Sequence, residues 1–465
     1  MKTIYIKHIK NLSLALGFLS LFCLASCKKD WLDAKPDQAL IVPGTVQDYQ
    51  ALLDNNTDTY LFNTTQPALC ETMSDDYFVS KASWQSFGLV QDRNAYVWAR
   101  EIYEGENSFD WDYCYKRILH ANVILDGIEK VAKNDANTAS WNNVKGSALF
   151  YRSFDFFNLA QEFCKTYDKS TAATDLGIVL KLSSNLNDKA SRSTVAQTYS
   201  QVINDLLMAA KLLPVMQRFP SRPSSVAAYG LLARVYLIMG DYENAKLYAE
   251  KSLGLYGELI DYNTLSLTDE PALPRFNKEV TFYSFLNIFD SSNCYSPYVN
   301  IDSTLYNTYS SNDLRKAIYF KDVSGVITYK GGYYNDYSYS GGLQTDEMYL
   351  ISAECNARLG ALPEALKSLN TLLNTRWVTG TFTPYTATSA DALLPQILLE
   401  RRKELIFRSL RWPDLRRLNK EPRFAKTLTR NLDGVIYTLP PNDLRYVLPI
   451  PENEIKLSGI EQNPR

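Results

Sequence analysis

The sequence predicts a fold dominated by α-helices, in which helical hairpins frame a long irregular segment. Three observations predict it. Residues 226–253 hold two helical periodicities on either side of Met239-Gly240-Asp241. Tyr229, Leu232, Ala233 and Tyr236 recur at i, i+3, i+4 and i+7, and Ala245, Tyr248, Ala249 and Ser252 repeat that spacing beyond the turn. A second copy follows at 349–372, where Tyr349, Ala353, Gly360 and Ala365 match Tyr229, Ala233, Gly240 and Ala245 offset for offset. Between the two, residues 257–342 lose the helical period and fill with Pro, Gly, Asn and Tyr. Paired helices with small residues at their contact are the pattern of tetratricopeptide-like repeats. One such hairpin leaves its apolar face uncovered, so further pairs are expected to stack on these. Two unrelated hairpins in an ordinary helical core are the alternative.

At the N-terminus, Lys2, Lys7 and Lys10 precede an apolar run over residues 12–24, and Leu24-Ala25-Ser26-Cys27 follows at once. The run is short for a membrane span. Small residues before a Cys at its end resemble the lipobox of bacterial lipoproteins. Residues 1–26 then read as a signal peptide, and Cys27 as the site of lipid attachment, where two or three acyl chains anchor stably and one does not. A signal for soluble secretion or a transmembrane helix are the alternatives. Residues 27–44 read as tether and hook, with Trp31, Leu32 and Pro36 packing the tether onto the body.

The remaining elements follow from local chemistry. Residues 46–55 read as a short helix capped by Thr45. Residues 72–87, with Asp75, Asp76, Tyr77, Trp84 and Phe87, read as loop. Long helices are expected over 109–132 and 141–163. A third, over 194–213, is begun by Ser193 or Thr194 and ended by Pro214, and forms a candidate further pair with 141–163. Residues 45–256 thus make an N-terminal part of paired helices. Within 257–342, alternations at 280–283 and 327–330 read as short strands. The tract 331–342, GGYYNDYSYSGG, is the least core-like part of the chain and reads as a mobile aromatic loop. Residues 343–465 bring helix back. Asp346 and Glu347 fall in a first turn, where they complement the helix dipole. A helix over 391–410 spaces Arg401 with Glu404, and Glu404 with Arg408, for ion pairs. Residues 412–418 add a short helical turn. A Pro-rich tail is expected to wrap back over the body.

Composition narrows the function. Lys and Arg number 49 and Asp and Glu 51, so nothing favours nucleic acid as a partner. With two His, and seven Cys at wide spacing, there is no metal-ligand pattern and no cofactor is expected. Beyond Cys27, the odd set of Cys70, Cys114, Cys164, Cys294 and Cys355 does not read as a disulfide scaffold, and Cys164 and Cys355 read as buried thiols. Gly-x-Ser-x-Gly elbows are absent, and no carboxylate pair stands out as a glycosidase dyad. The chain therefore reads as non-enzymatic.

Three motifs carry a family resemblance: Thr345-Asp346-Glu347-Met348-Tyr349-Leu350-Ile351-Ser352-Ala353-Glu354, Leu399-Glu400-Arg401-Arg402-Lys403-Glu404-Leu405-Ile406-Phe407, and Arg411-Trp412-Pro413-Asp414-Leu415-Arg416-Arg417. With the closing Leu448-Pro449-Ile450-Pro451 and Gln462-Asn463-Pro464, they resemble the SusD/RagB family. Residues 176–180 depart from the family's usual Pro before the final Leu, and Pro413 departs within the Arg-Trp segment. The resemblance implies about four tetratricopeptide-like helix pairs and a non-enzymatic lipoprotein on the outer-membrane surface, held in lipid through Cys27. It also implies binding of oligosaccharide or polysaccharide, or of peptides or other nutrients, as a lid on a SusC-like TonB-dependent transporter. A purely structural lid or adaptor is the other reading.

Sugars offer apolar ring faces to aromatic side chains and hydroxyls to polar ones. Trp84, Tyr295, Tyr333, Tyr334 and Tyr337 lie in irregular stretches and are the candidate stacking residues, together with Tyr339. Asn293, Asp336 and Asp76 are the candidate polar contacts. Loop packing, or contact with a transporter, is the structural alternative for each.

Overall fold

Capping chemistry sets where the helices begin. Helix α1 (Val46–Asp54) opens on a capping box, in which the Thr45 hydroxyl accepts from the Asp48 N–H and the Asp48 carboxylate accepts from the Thr45 N–H. A single turn, α2 (Leu69–Thr72), leads to β1 (Tyr77–Val79), α3 (Lys81–Ser86) and α4 (Val90–Tyr96). The long helices α5 (Phe109–Ile128) and α6 (Thr138–Phe163) follow, then the small ladder of β2 (Leu176–Val179) and β3 (Arg192–Thr194). Thr194 caps α7 (Val195–Leu212) with a second capping box through Gln197. The structure is a computed structural model and describes residues 43–55, 62–287, 289, 292–293, 296, 298–334 and 337–465. The leader, Cys27 and the hook lie outside the described residues, as do Cys294, Tyr295 and Asp336.

The two hairpins stand where the sequence places them. Helices α8 (Ser225–Met239) and α9 (Tyr242–Leu255) are turned by Gly240, and the Asp241 carboxylate caps α9 by accepting from the Asn244 N–H. After the irregular segment, α12 (Thr345–Arg358) and α13 (Leu362–Asn374) are turned by Gly360; φ is 74° at Gly240 and 82° at Gly360, a region that costs other residues energy. Neighbouring helices pack in an unbroken series: α5 on α6, α6 on α7, α7 on α8, α8 on α9, α9 on α12 and α12 on α13. Between the hairpins, Ala233, Leu237, Ala245 and Ala249 meet Met348, Ile351 and Cys355 in a sealed apolar seam. The alanines on one side leave room for the larger side chains on the other.

The segment between the hairpins is built from short pieces: β4 (Val280–Phe282), β5 (Val299–Ile301), α10 (Ser303–Tyr306), α11 (Arg315–Tyr319), β6 (Phe320–Val323), β7 (Val326–Tyr329) and β8 (Leu343–Gln344). They pair two at a time: β1 with β5, β4 with β8, and β6 with β7, all antiparallel. The segment has its own apolar core, to which Tyr77, Tyr262, Tyr283, Tyr309, Tyr319, Tyr329 and Tyr339 contribute.

Three expectations change here. Residues 72–87 are not loop: they hold β1 and α3, elements too short to show a period. The 331–342 tract is not an aromatic loop held out into solvent, because Tyr333, Tyr334 and Tyr339 are buried and each hydroxyl is bonded to another part of the chain. The tail is more than extended chain. Helix α14 (Ala390–Glu404) ends six residues before Leu410, α15 (Arg411–Leu418) follows, and β9 (Leu428–Leu432) and β10 (Val435–Leu439) form a hairpin around Asp433-Gly434 before α16 (Glu452–Ser458). The tail does fold back onto the body: the Leu448 N–H donates to the Glu162 carbonyl at 2.8 Å, and the Asn463 amide to those of Phe163 and Leu448. Cys70, Cys114, Cys164 and Cys355 are buried free thiols.

The seam between the hairpins is tight enough that a truncation there leaves a cavity. Ile351→Ala is expected to lower the free energy of unfolding by about 2–5 kcal/mol, read from urea denaturation.

Candidate functional site

The motif residues at 345–354 and 399–417 form a buried ion-pair network within the helical frame and between it and the irregular segment. Arg315, on α11, donates to Asp313, to Glu400 at 2.6 Å and to Glu404 at 2.9 Å. Arg376, just past α13, donates to the other Glu404 oxygen at 2.7 Å, to Glu279 at 2.8 Å and to the Ile260 carbonyl. Arg408 holds Asp346, and Arg234 holds Glu347 with both carboxylate oxygens engaged. Arg401 and Arg417 share Asp414, and Arg417 reaches on to Glu354. All these groups are buried. The helical spacing of Arg401, Glu404 and Arg408 therefore does not pair them with each other: each turns to a partner on a different element. Asp346 and Glu347 do lie in the first turn of α12, but guanidiniums hold them.

Candidate Asp76 belongs to the same framework. It is 1% exposed and accepts from the Arg402 Nε at 2.8 Å. Its neighbour Asp75 takes Arg411 at 2.6 Å and Lys426 at 2.6 Å. Burial raises the Asp76 carboxyl, with Arg402 opposing. For Asp75 burial is outweighed by Arg411 and Arg402, and the carboxyl is held well below its usual range. Tyr333 lies under the Arg408 guanidinium, 4.2 Å from its ring centroid, with its hydroxyl on Glu279. The Tyr334 hydroxyl accepts from Ser340 and Gln344. Tyr333, Tyr334 and Asp76 are thus out of reach of a ligand in this structure: desolvated groups of this kind take internal partners, and these three have done so.

The other candidates lie nearer the surface, and one small ladder relates several of them. In the β1–β5 pair, Val79 faces Val299 and Tyr77 faces Ile301. Helix α3 leaves from the Val79 end, and the stretch containing Asn293 enters β5 at that same end. Ser80 caps α3 by accepting from the Ser83 N–H. The Trp84 indole N–H donates to the Arg93 carbonyl at 2.9 Å, and its ring packs half-buried on the core of the irregular segment. With its polar handle spent inside, Trp84 can offer a ligand only ring surface. Asn293 is half-buried beside Ser292, whose carbonyl accepts from the Tyr339 hydroxyl at 2.6 Å. Tyr337, two residues before Tyr339, is 54% exposed.

Two exposed aromatic residues that sequence reasoning missed stand on the ladder and beside it. Tyr77, Val79, Val299 and Ile301 point into the core, so alternation turns the paired Phe78 and Asn300 to the opposite face, and Tyr298 lies in the turn just before β5. Phe78 is 47% and Tyr298 67% exposed. The signal was the alternation in Tyr77-Phe78-Val79 and Tyr298-Val299-Asn300-Ile301, each too short to stand out. Exposed aromatic rings, Phe78, Tyr298 and Tyr337, thus occur with half-buried Asn293 and Asn300 in these stretches. Side chains of these types can stack flat apolar rings and hydrogen-bond hydroxyls. Among the described residues, no group of three or more His, Cys, Asp or Glu is placed to hold a metal ion. No described helix is long and apolar enough to cross a membrane.

Comparison with known proteins agrees with this architecture. A family profile described as "Starch-binding associating with outer membrane" (SusD-like) matches residues 30–237, and one described as "SusD family" (SusD/RagB) matches residues 274–465. The chain belongs to the SusD/RagB family. Among solved structures, it is similar to a SusD superfamily protein from Bacteroides thetaiotaomicron at 23% identity and TM-score 0.72, covering 90% of this chain and 100% of that one. A SusD superfamily protein from Bacteroides fragilis gives 21% identity and TM-score 0.71, with 89% and 98% covered. A SusD-like carbohydrate binding protein from Bacteroides vulgatus gives 21% identity and TM-score 0.63, with 90% and 97% covered. These likenesses establish the fold. No curated protein matches the sequence.

Two outcomes follow from the buried charges. Glu404→Gln removes a charge that two fully buried guanidiniums share, and is expected to cost about 3–5 kcal/mol of stability in chemical denaturation. Burial, with Asp76 beside it, raises the Glu71 carboxyl from 4.5 to about 8, although the Ser409 N–H opposes the shift. The folded protein then keeps a proton that the unfolded chain gives up, so this group makes stability fall as pH rises from 4.5 toward 8. Glu71→Gln is expected to flatten that fall, gaining on the wild type between about pH 5 and about pH 8 in urea titrations.

Proposed function

We propose that this protein is a cell-surface binding lipoprotein that captures oligosaccharides or polysaccharide and delivers them to a SusC-like TonB-dependent outer-membrane transporter. The observation that carries the reading is the exposed aromatic pair at the β1–β5 ladder, Phe78 on β1 and Tyr298 just before β5, with the helix of Trp84 starting at the end where Tyr298 lies. Aromatic rings suit sugar faces, and ordering their two side-chain torsions costs little entropy. Trp84, Tyr337 and Asn293, with Tyr295 and Asp336 from the same stretches, are the proposed contacts, and Phe78 and Tyr298 join them. Tyr333, Tyr334 and Asp76 are proposed to support the site from within. The family's described starch binding and outer-membrane association support the class of ligand and the location. Cys27 is the proposed lipid anchor, and residues 257–342 the proposed ligand-bearing segment. Binding without catalysis fits a site in which the buried carboxylates are tied to arginines.

Affinity electrophoresis of the protein through gels containing different polysaccharides tests the proposal. Retardation by at least one glycan is expected, and Trp84→Ala and Tyr298→Ala are each expected to weaken it about tenfold, the equivalent of about 1.4 kcal/mol. No retardation by any glycan would move the reading to peptide capture or to a structural lid of the transporter. Unchanged affinity in both variants would displace the site.

A further inference from the structure

A cavity lies where the helical frame meets the irregular segment. Its walls include Gln66, Asn158, Glu162, Arg401, Arg408 and Ser409. It has about 30 Å³ of room for water centres, space for one or two waters or a single halide and too little for a sugar ring. Arg401 is 2% exposed. Its Nε donates to Asp414 at 2.8 Å and its Nη2 lies 3.6 Å from Glu347, while its Nη1 is buried with no hydrogen-bond partner among the described residues.

The carboxylates at this end of the buried network are all engaged. Arg401 shares Glu347 with Arg234, and shares Asp414 with Arg417. Arg417 in turn shares Glu354 with Arg358, which also reaches Glu421 at the far, more exposed edge. A buried guanidinium N–H left unpaired costs more than a hydrogen bond gains. Among the described residues Glu162 is the one carboxyl on the cavity wall, and burial and the nearby Asp110 push it well up toward its neutral form.

We infer that the cavity is a binding site for a small monovalent anion, chloride in the cell's surroundings, held by Arg401 Nη1 in a wall that also carries Arg234, Arg408 and uncharged polar groups. An anion there completes the coordination of Arg401 and ties α6 and α8 to α14 from inside. The site is separate from the aromatic face and stands whether or not the protein binds glycans.

Crystals of the protein grown with bromide in place of chloride test this without any substitution. An anomalous bromine peak inside the cavity, within hydrogen-bonding distance of Arg401 Nη1, is the expected result. A cavity that holds only water, in crystals where bromide is seen at the surface, would overturn it. In solution, the unfolding temperature is expected to rise saturably with chloride over gluconate at constant ionic strength. Equal unfolding temperatures in the two salts would also count against the site.

Discussion

Glu404 is the junction on which the arrangement depends. One of its oxygens takes Arg315 from the irregular segment, and the other takes Arg376 from the end of the second hairpin. Because both guanidiniums are fully buried, neither can turn to water if the carboxylate moves. From there the linkage passes through Glu279 and the Tyr333 hydroxyl to Asp346, and so to Arg408. The irregular segment has little regular sheet to fix its shape, its ladders being two strands wide. Its position is set by these directional bonds and by a core of tyrosines. The planar fork of arginine suits such a role, since one residue reaches several acceptors at once.

This division of labour explains where aromatic side chains go. The chain is rich in tyrosine, and the irregular segment uses most of it inside. Tyr339 stacks on Phe407 at 5.2 Å while its hydroxyl reaches Ser292. Tyr262 and Tyr319 meet hydroxyl to hydroxyl at 2.9 Å. A tyrosine core gives a loop-rich segment apolar area and hydrogen bonds together, so backbone groups that no ladder serves still find partners. Phe78 is left outside because alternation along a short ladder leaves every second residue no core to enter.

Much of the frame was legible in the sequence, because helical periodicity needs only local order. The capped helices beginning after Thr45, Ser108 and Thr194, and both glycine-turned hairpins, appear close to where residue patterns place them. What escaped was non-local. Arg401, Glu404 and Arg408 have the spacing of an intrahelical ladder, yet their partners lie tens of residues away, and no local pattern encodes that choice. Clustered tyrosines and glycines at 331–342 look like exposed loop until the acceptors of their hydroxyls are known. The β1 and β5 strands, three residues each, fall below the length at which alternation stands out. The β9–β10 hairpin did carry a signal, Asp433-Gly434 between alternating residues, but the prolines that follow hid it.

The hydrogen bond from the Trp84 indole to the Arg93 carbonyl has a consequence for discrimination. A ring fixed at its polar end cannot swivel to follow a partner, so anything docking there must bring its own flat face at the angle already set. Adaptation is left to the incoming molecule. At the proposed glycan site this favours a stiff chain over a flexible one.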